Sequence, residues 1–392
     1  MESGEWKIEN GELKINIANN NINNKTIKKM LKMTKQILTA LLPTALLLAA
    51  CGGQSNNANN ANNAAADNNP AGKSTTAAKP AVILDCDLGS STDDLFALTM
   101  LYDAHKNGLI DFKAVMIDRG GLENLRLADI MNTYYGFAQM PIGKVHDAPP
   151  SPQVFIPYWK LAKPEEYKEM PTFKRTYTDE QLEQLPDAEV LYRQILAKAP
   201  DTSVVVFSIG FPTNIAHLLD SKADKFSDLD GVALVKQKVK ALYIMGGELS
   251  LDTPEPDYNL KQDPQNAQTM MDKWPSKIYF SPGSTGQKID YTPESVIADQ
   301  KKINLEDSPV CKTYQLFDCN TGQRMWDACA IQQYLHPEFY ELHGPVKYTV
   351  DSDMVLHEQP GTLHFMTYTK TAEQDSTILR HIRETAHGGI KK

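Results

Sequence analysis

The sequence predicts an α/β protein built on an open, mostly parallel sheet with helices on both faces. Three observations carry this expectation. Residues 81–87, "AVILDCD", form an apolar run ending in acids, as a strand buried on both faces does. Similar short runs alternate with segments of helical periodicity along the chain. Polar and acidic residues gather just past the carboxyl ends of the runs, where open α/β sheets bind ligands. The composition allows such a fold. The chain has 392 residues, 41% hydrophobic and 23% charged, which are globular values.

Taken in order, the strand at 81–87 is followed by a helix over 93–108 that stops at Asn107-Gly108. A strand at 111–118, a helix at 122–137 and a short strand at 140–145 come next. Residues 146–185, rich in Pro, Tyr and charge, read as a long loop or lid with short helical pieces. Alternation then resumes. A helix at 187–199, a strand at 203–210, a helix at 212–222 and a strand at 239–247 follow one another. "FSDLDGVAL" (226–234) reads as a connector. A helix at 266–274 and a strand at 277–282 precede a tail with a helix at 327–335 and strands at 346–350 and 363–368. One domain is expected over 81–385, with no internal repeat.

The first 80 residues are different. Residues 28–51, "KKMLKMTKQILTALLPTALLLAAC", place lysines before a short apolar run and then Cys51, the layout of an export signal. The run is too short to span a bilayer comfortably. Its ending, Leu48-Ala49-Ala50-Cys51, resembles a bacterial lipobox, which implies lipidation at Cys51 and a membrane anchor. The expected location is the bacterial cell envelope: outer membrane, periplasm or cell surface. Residues 1–50 then comprise an upstream segment and the signal, with Met30 or Met33 the expected start. Residues 51–80, rich in Asn and Ala, form a polar linker that cannot build a core.

Without residues 1–50 the chain carries 33 basic and 45 acidic residues, a net charge of −12. That excludes a nucleic-acid polymer as partner and suits a small neutral or cationic molecule or a metal ion. Among the cysteines, Cys311 and Cys319 sit in a polar, loop-like segment and are the expected disulfide pair. Cys86 reads as a small buried hydrophobe. Nine histidines show no metal-type spacing and are expected on the surface or in the core, not as ligands.

The densest chemistry is "DCDLGSSTDD" at 85–94. Asp85, Asp87, Asp93 and Asp94 fall within ten residues. Gly89 permits the turn, and Thr92 is placed to cap the next helix. The helix dipole favours Asp93 and Asp94 in a first turn, but does nothing for Asp85 and Asp87. Four carboxylates so close repel one another unless a cation neutralises them or their pKa values rise. Hard oxygens of this kind suit Ca²⁺ or Mg²⁺, not zinc.

Asp-x-Asp-x-Gly, a short gap and Asp-Asp before an apolar helix resemble the N-terminal signature of the inosine-uridine-preferring nucleoside hydrolases. Four further segments resemble that family's motifs in order: "SIGFPTN" (208–214), "YIMGG" (243–247), "PDYNLKQDPQNAQ" (256–268) and "MWDACAI" (325–331). The resemblance implies a Rossmann-like core and calcium-dependent hydrolysis of the N-glycosidic bond of ribonucleosides. By position, Asp87, Asp94, Asp327 and the main-chain carbonyl of Thr213 would hold Ca²⁺. Asp87 would also serve as base toward the attacking water. Asp93 and Asn259 would hold ribose hydroxyls, with Asp257 near the 5′-hydroxyl and Met245 lining the sugar pocket. Trp326, standing where some members have a histidine, would bind substrate by stacking on the base or else pack the core. Asp85 would support the turn from behind.

Departures from the family pattern are local. Ser91 stands where longer bacterial forms carry Asp, and Asp257 where Glu is usual. "DRGG" (118–121) replaces the usual Gly-Asn, so that sugar-binding Asn has no counterpart. The acid that protonates the leaving base is unassigned, with His336, Tyr258 and lid tyrosines such as Tyr158 as candidates. These departures leave a second reading, a non-catalytic nucleoside- or sugar-binding lipoprotein on the same fold. Family members commonly form oligomers, which makes a homo-oligomer a further expectation.

Overall fold

The apolar run at 81–87 becomes strand β1, Ala81–Cys86, with every residue buried. Its alternate side chains feed two separate cores. Val82, Leu84 and Cys86 enter one, while Ala81 and Ile83 enter the other. Period-two alternation produces this in a strand covered on both faces. Burying Ile83 or Leu84 contributes roughly 1.5–3 kcal/mol each.

The computed structural model describes residues 6–9, 12–15, 79–89, 91–149, 156–248, 256–319 and 323–390. The expected export signal, Cys51 and nearly all of the 51–80 linker lie outside the described residues. The chain divides into two units, Met1–Ser74 and Thr75–Lys392. In the first, Trp6–Glu9 and Glu12–Ile15 pair antiparallel.

In the second unit β1 is followed by α1 (Asp94–Lys106), β2 (Asp111–Ile117), α2 (Leu122–Tyr134) and β3 (Ile142–Lys144). A 3-10 turn, Tyr158–Ala162, precedes α3 (Asp179–Glu183) and α4 (Ala188–Lys198). Then come β4 (Val204–Ser208), α5 (Thr213–Asp220), α6 (Gly231–Lys238) and β5 (Val239–Met245). Helices α7 (Tyr258–Gln262) and α8 (Pro264–Lys273) lead to β6 (Lys277–Ser281) and the short α9 (Gly283–Gly286). The last part holds α10 (Pro293–Lys302), α11 (Pro309–Leu316), α12 (Trp326–Leu335), β7 (Glu341–Val350), β8 (Leu356–Tyr368) and α13 (Ala372–Thr385).

The eight strands of this unit run in the order β3-β2-β1-β4-β5-β6-β8-β7. Every pair is parallel except β7 with β8. Helices α1, α2, α12 and α13 pack into one core, and α4, α5 and α8 into the other, so both faces are covered. The expected α/β class is the one observed. The strand order reverses between β1 and β4, and the carboxyl ends of these two strands flank the crevice where such sheets bind ligands.

Several local expectations need correction. The 226–234 connector ends in a helix: Asp230 caps α6 by accepting the Ala233 amide at 2.8 Å. Cys311 lies in α11 rather than a loop, and Cys86, Cys311, Cys319 and Cys329 are all free and buried. Cys319 Sγ instead points its proton at the Thr313 carbonyl, 3.6 Å away. Strands β7 and β8 are longer than expected. Their outer halves form a ribbon with exposed positions on both sides, which leaves no apolar alternation to read.

The described part of the expected lid is docked against the body. Arg126 on α2 donates to the Ala162 carbonyl and to Glu165 and Asp179. Asp129 on the same helix accepts the amides of Thr176 and Tyr177. Among the described residues no helix is long and apolar enough to cross a membrane.

Candidate active site

The site grows from the end of β1. Asp87 follows the strand, and the chain then turns at Gly89, where φ is +111°. A Cβ there would meet Asn124 Oδ1 at 2.7 Å, so only glycine fits without displacement. The Gly89 amide donates to the Tyr158 hydroxyl at 2.6 Å, which pins the docked segment to the turn.

Thr92 does not cap α1. Its hydroxyl pairs with that of Tyr314 at 2.9 Å, and Asp93 occupies the cap position without a side-chain capping bond. The Asp93 carboxylate is used elsewhere. One oxygen accepts the Ser91 hydroxyl, and the other accepts the Asp327 amide at 2.7 Å. That second bond joins the β1 rim to the start of α12, across 234 residues of sequence.

Asp94, the first residue of α1, is fully buried, and neither of its carboxylate oxygens has a hydrogen-bond partner. Asp87 and Asp327 are 4% and 5% exposed. Burial pushes the Asp94 carboxyl well above its ordinary range, helped by the charges of Asp87 and Asp93 and opposed by Arg119. Asp327 is also held well up, by burial and then by Asp93, Asp94, Asp87 and Asp118. Asp93 is pushed to about 6, chiefly by burial. Acids from the β1 rim and from α12 therefore share one desolvated space.

Two residues in this space have no assigned role from the sequence. Asp118, at the end of β2, is fully buried and raised by burial and by the charges of Asp85, Asp87 and Asp94. Arg119 is 3% exposed, sits 3.9 Å from Asp87 Oδ2 and lies over the Phe211 ring. The rule that ligand groups gather at strand ends could have found Asp118. Gly210, just past β4, lets them approach. A Cβ there would lie 2.4 Å from both Asp118 Oδ2 and the Asp87 amide.

Asp85, one residue before the end of β1, alternates with Ala81 and Ile83 and lies beside Asp118. It accepts from Tyr192 on α4 and Asn214 on α5, each at 2.9 Å. Burial lifts it to about 7 even against these two bonds. Its position is that of a support behind the turn.

The remaining candidates line the rim. Thr213 opens α5 at the end of β4, fully buried, with its hydroxyl donating to Asp263 at 2.6 Å. Met245 ends β5 and is half-buried. Asn259 donates to the carbonyls of Ile209 and Met245, at 3.2 and 3.3 Å, which ties α7 to the ends of β4 and β5. Asp257 caps α7 through Leu260 and also accepts the Gly247 amide, and burial raises it to about 6. Its carboxylate thus shapes the backbone beside the pocket while keeping lone pairs for a further donor. Trp326 is half-buried, its backbone and indole pressed against Gly286.

Of the leaving-group candidates named, His336 is displaced. It caps the far end of α12, roughly 14 Å along the axis from Asp327. There it bonds Glu338 and stacks on Phe339. Tyr158 is wholly buried beside Asp94 and Asp87, and Tyr258 is 38% exposed on α7. Away from this rim, three residues not expected as ligands, His146, Glu189 and His217, come together.

The family model described as "Inosine-uridine preferring nucleoside hydrolase" matches residues 82–385. No curated protein matches the chain. Among solved structures, the inosine-uridine preferring nucleoside hydrolase from Bacillus anthracis aligns with a TM-score of 0.54 at 13% identity, covering 78% of this chain and 99% of that one. A purine-preferring ribonucleoside hydrolase from Gardnerella vaginalis gives 0.57 at 15% identity, covering 79% and 100%. A plant nucleoside hydrolase gives 0.56 at 14% identity, covering 78% and 99%. At these identities the likeness is one of fold.

Proposed function

The chain belongs to the inosine-uridine preferring nucleoside hydrolase family, and from that premise we propose that it hydrolyses the N-glycosidic bond of ribonucleosides with calcium. The observation that carries the reading is the buried meeting of Asp87, Asp93, Asp94, Asp118 and Asp327, with both Asp94 oxygens lacking any donor. Unpaired buried carboxylates cost several kcal/mol each, so the set calls for a cation. Several hard oxygens, no thiolate and no imidazole suit calcium.

Asp87, Asp94, Asp327 and the Thr213 carbonyl would hold the ion, with Asp118 as a further carboxylate and Arg119 offsetting charge at Asp87. A bound calcium ion would polarise water and orient ribose hydroxyls. Asp87 takes the proton of the attacking water. Asp93, held in place by Ser91 and the Asp327 amide, accepts a ribose hydroxyl proton. The carboxylates meet the positive charge that develops on the ribosyl ring as the C1′–N bond breaks. The water oxygen bonds to C1′, and the departing base takes up a proton. Tyr258 and Tyr158 are the candidate donors that remain near the rim.

An N-terminal lipid at Cys51 would tether this domain in the bacterial cell envelope. The basic stretch, the apolar run and the lipobox-like ending support that part of the reading.

Incubation with inosine, uridine and p-nitrophenyl riboside, with calcium or a chelator, tests the function. Calcium-dependent release of free base and ribose is expected. 2′-Deoxyuridine should react about 10⁴-fold less well, because groups built for the hydroxyl are left unpaired. Tight nucleoside binding with no base released would favour the non-catalytic reading instead.

A further inference from the structure

We propose a second metal site, for a transition cation of the zinc class, formed by His146, Glu189 and His217. The three side chains bring one ligand atom each to within 4.8 Å of one another. Two imidazoles and a carboxylate are a borderline-soft donor set that favours Zn²⁺ over Ca²⁺. The acid cluster described above, all oxygen, is its chemical opposite.

Two observations beyond proximity point to a ligand. His217 Nδ1 and Glu189 Oε2 are both shielded from solvent and lack a hydrogen-bond partner. Leaving such atoms unsatisfied is costly unless something binds them. His146 Nδ1 is 3.6 Å from Glu189 Oε1, and the rings of His146 and His217 lie 5.6 Å apart. His146 is 54% exposed, which gives an ion a way in and leaves an open coordination position for water.

Hydrogen bonds outside the trio hold its three carriers side by side. Lys144, the last residue of β3, bridges to Asp187, and its amide donates to the Pro186 carbonyl at 3.1 Å. This fixes the exit of β3, which carries His146, against the start of α4, which carries Glu189. Arg193 on α4 donates to Ser221, at the end of α5, at 3.0 Å. That fixes α4 against the helix carrying His217.

The site would act as a staple behind the catalytic rim. Glu189 is one helical turn from Tyr192, which holds Asp85. His217 is one turn from Thr213 and close to Asn214, which also holds Asp85. An ion joining α4, α5 and the β3 exit would lock the two helices that support β1.

The test is zinc titration of the full chain by calorimetry in saturating calcium, for the wild type, His146→Ala, His217→Ala and Asp94→Asn. One zinc equivalent is expected in the wild type and in Asp94→Asn. Changes outside the ligand shell already weaken metal binding about 10–100-fold, so losing a ligand in His146→Ala or His217→Ala should cost at least about 100-fold. His146 is exposed, so His146→Ala keeps the test interpretable should His217→Ala fail to fold. Cobalt substitution should also give visible absorption bands in the wild type and not in His146→Ala. Zinc binding of equal affinity in His146→Ala, or no stoichiometric zinc in the wild type, would overturn the proposal.

Discussion

Replacing Asp94 by asparagine should separate the cost of the acid cluster from its use. In metal-free protein the wild-type carboxylate is buried, has no donor and is repelled by Asp87 and Asp93. The amide removes that charge, so the variant should melt at or above the wild type in EDTA. With calcium at about 100 times its Kd, the wild type gains about 2.7 kcal/mol. Domains of 150–250 residues shift by about 2–4 °C per kcal/mol, and this one is somewhat larger, so its melting temperature should rise about 5 °C. The variant lacks a ligand and should rise by less than about 2 °C. Thermal melts followed by circular dichroism, in EDTA and in calcium, give all four values. An equal calcium shift in both proteins, or a variant melting well below the wild type in EDTA, would refute the reasoning.

Other outcomes follow from the same geometry. Asp93 and Asp257 rise to about 6 and Asp85 to about 7, so the folded state binds more protons than the unfolded one. Stability of the calcium-free protein should therefore fall as pH rises from about 4 to about 7, seen as a lower urea midpoint at pH 7.5 than at pH 5. Gly210→Ala drives a methyl into Asp118 and the Asp87 amide, costing about 1–3 kcal/mol by denaturant melts and lowering kcat. Arg126→Ala frees the segment docked on α2, which timed trypsin digestion should detect as faster cleavage at Lys163, Lys168 or Lys174.

The strands were legible in the sequence because both their faces are buried, which writes them as unbroken apolar runs such as 204–208. The rim acids were legible for the reason that makes them costly: charges beside a core are conspicuous. Asp118 is hard to find in the sequence because "DRGG" fills the place of the family's Gly-Asn, so its acid matches no motif position. Helices α10, α11 and α13 carry clear start signals, Thr292-Pro293, Ser308-Pro309 and Thr371 with Gln374. The mostly polar surfaces of α10 and α13 hide the periodicity that a scan for apolar stripes looks for, and α11 is a short, mostly buried helix with too few turns to show one. His146, Glu189 and His217 come from three separate elements, so no local spacing could reveal them. The expected Cys311–Cys319 pairing fails because Cys311 is buried within α11, while the Cys319 thiol, past the end of that helix, bonds the Thr313 carbonyl.

The central claim is that acids from separate strand ends share one hard cation. A crystal structure of the protein grown with calcium tests it most directly. The account predicts one ion about 2.3–2.6 Å from carboxylate oxygens of Asp87, Asp94 and Asp327 and from the Thr213 carbonyl. An ion bound elsewhere, or an Asp327 carboxylate turned away from Asp94, would contradict it.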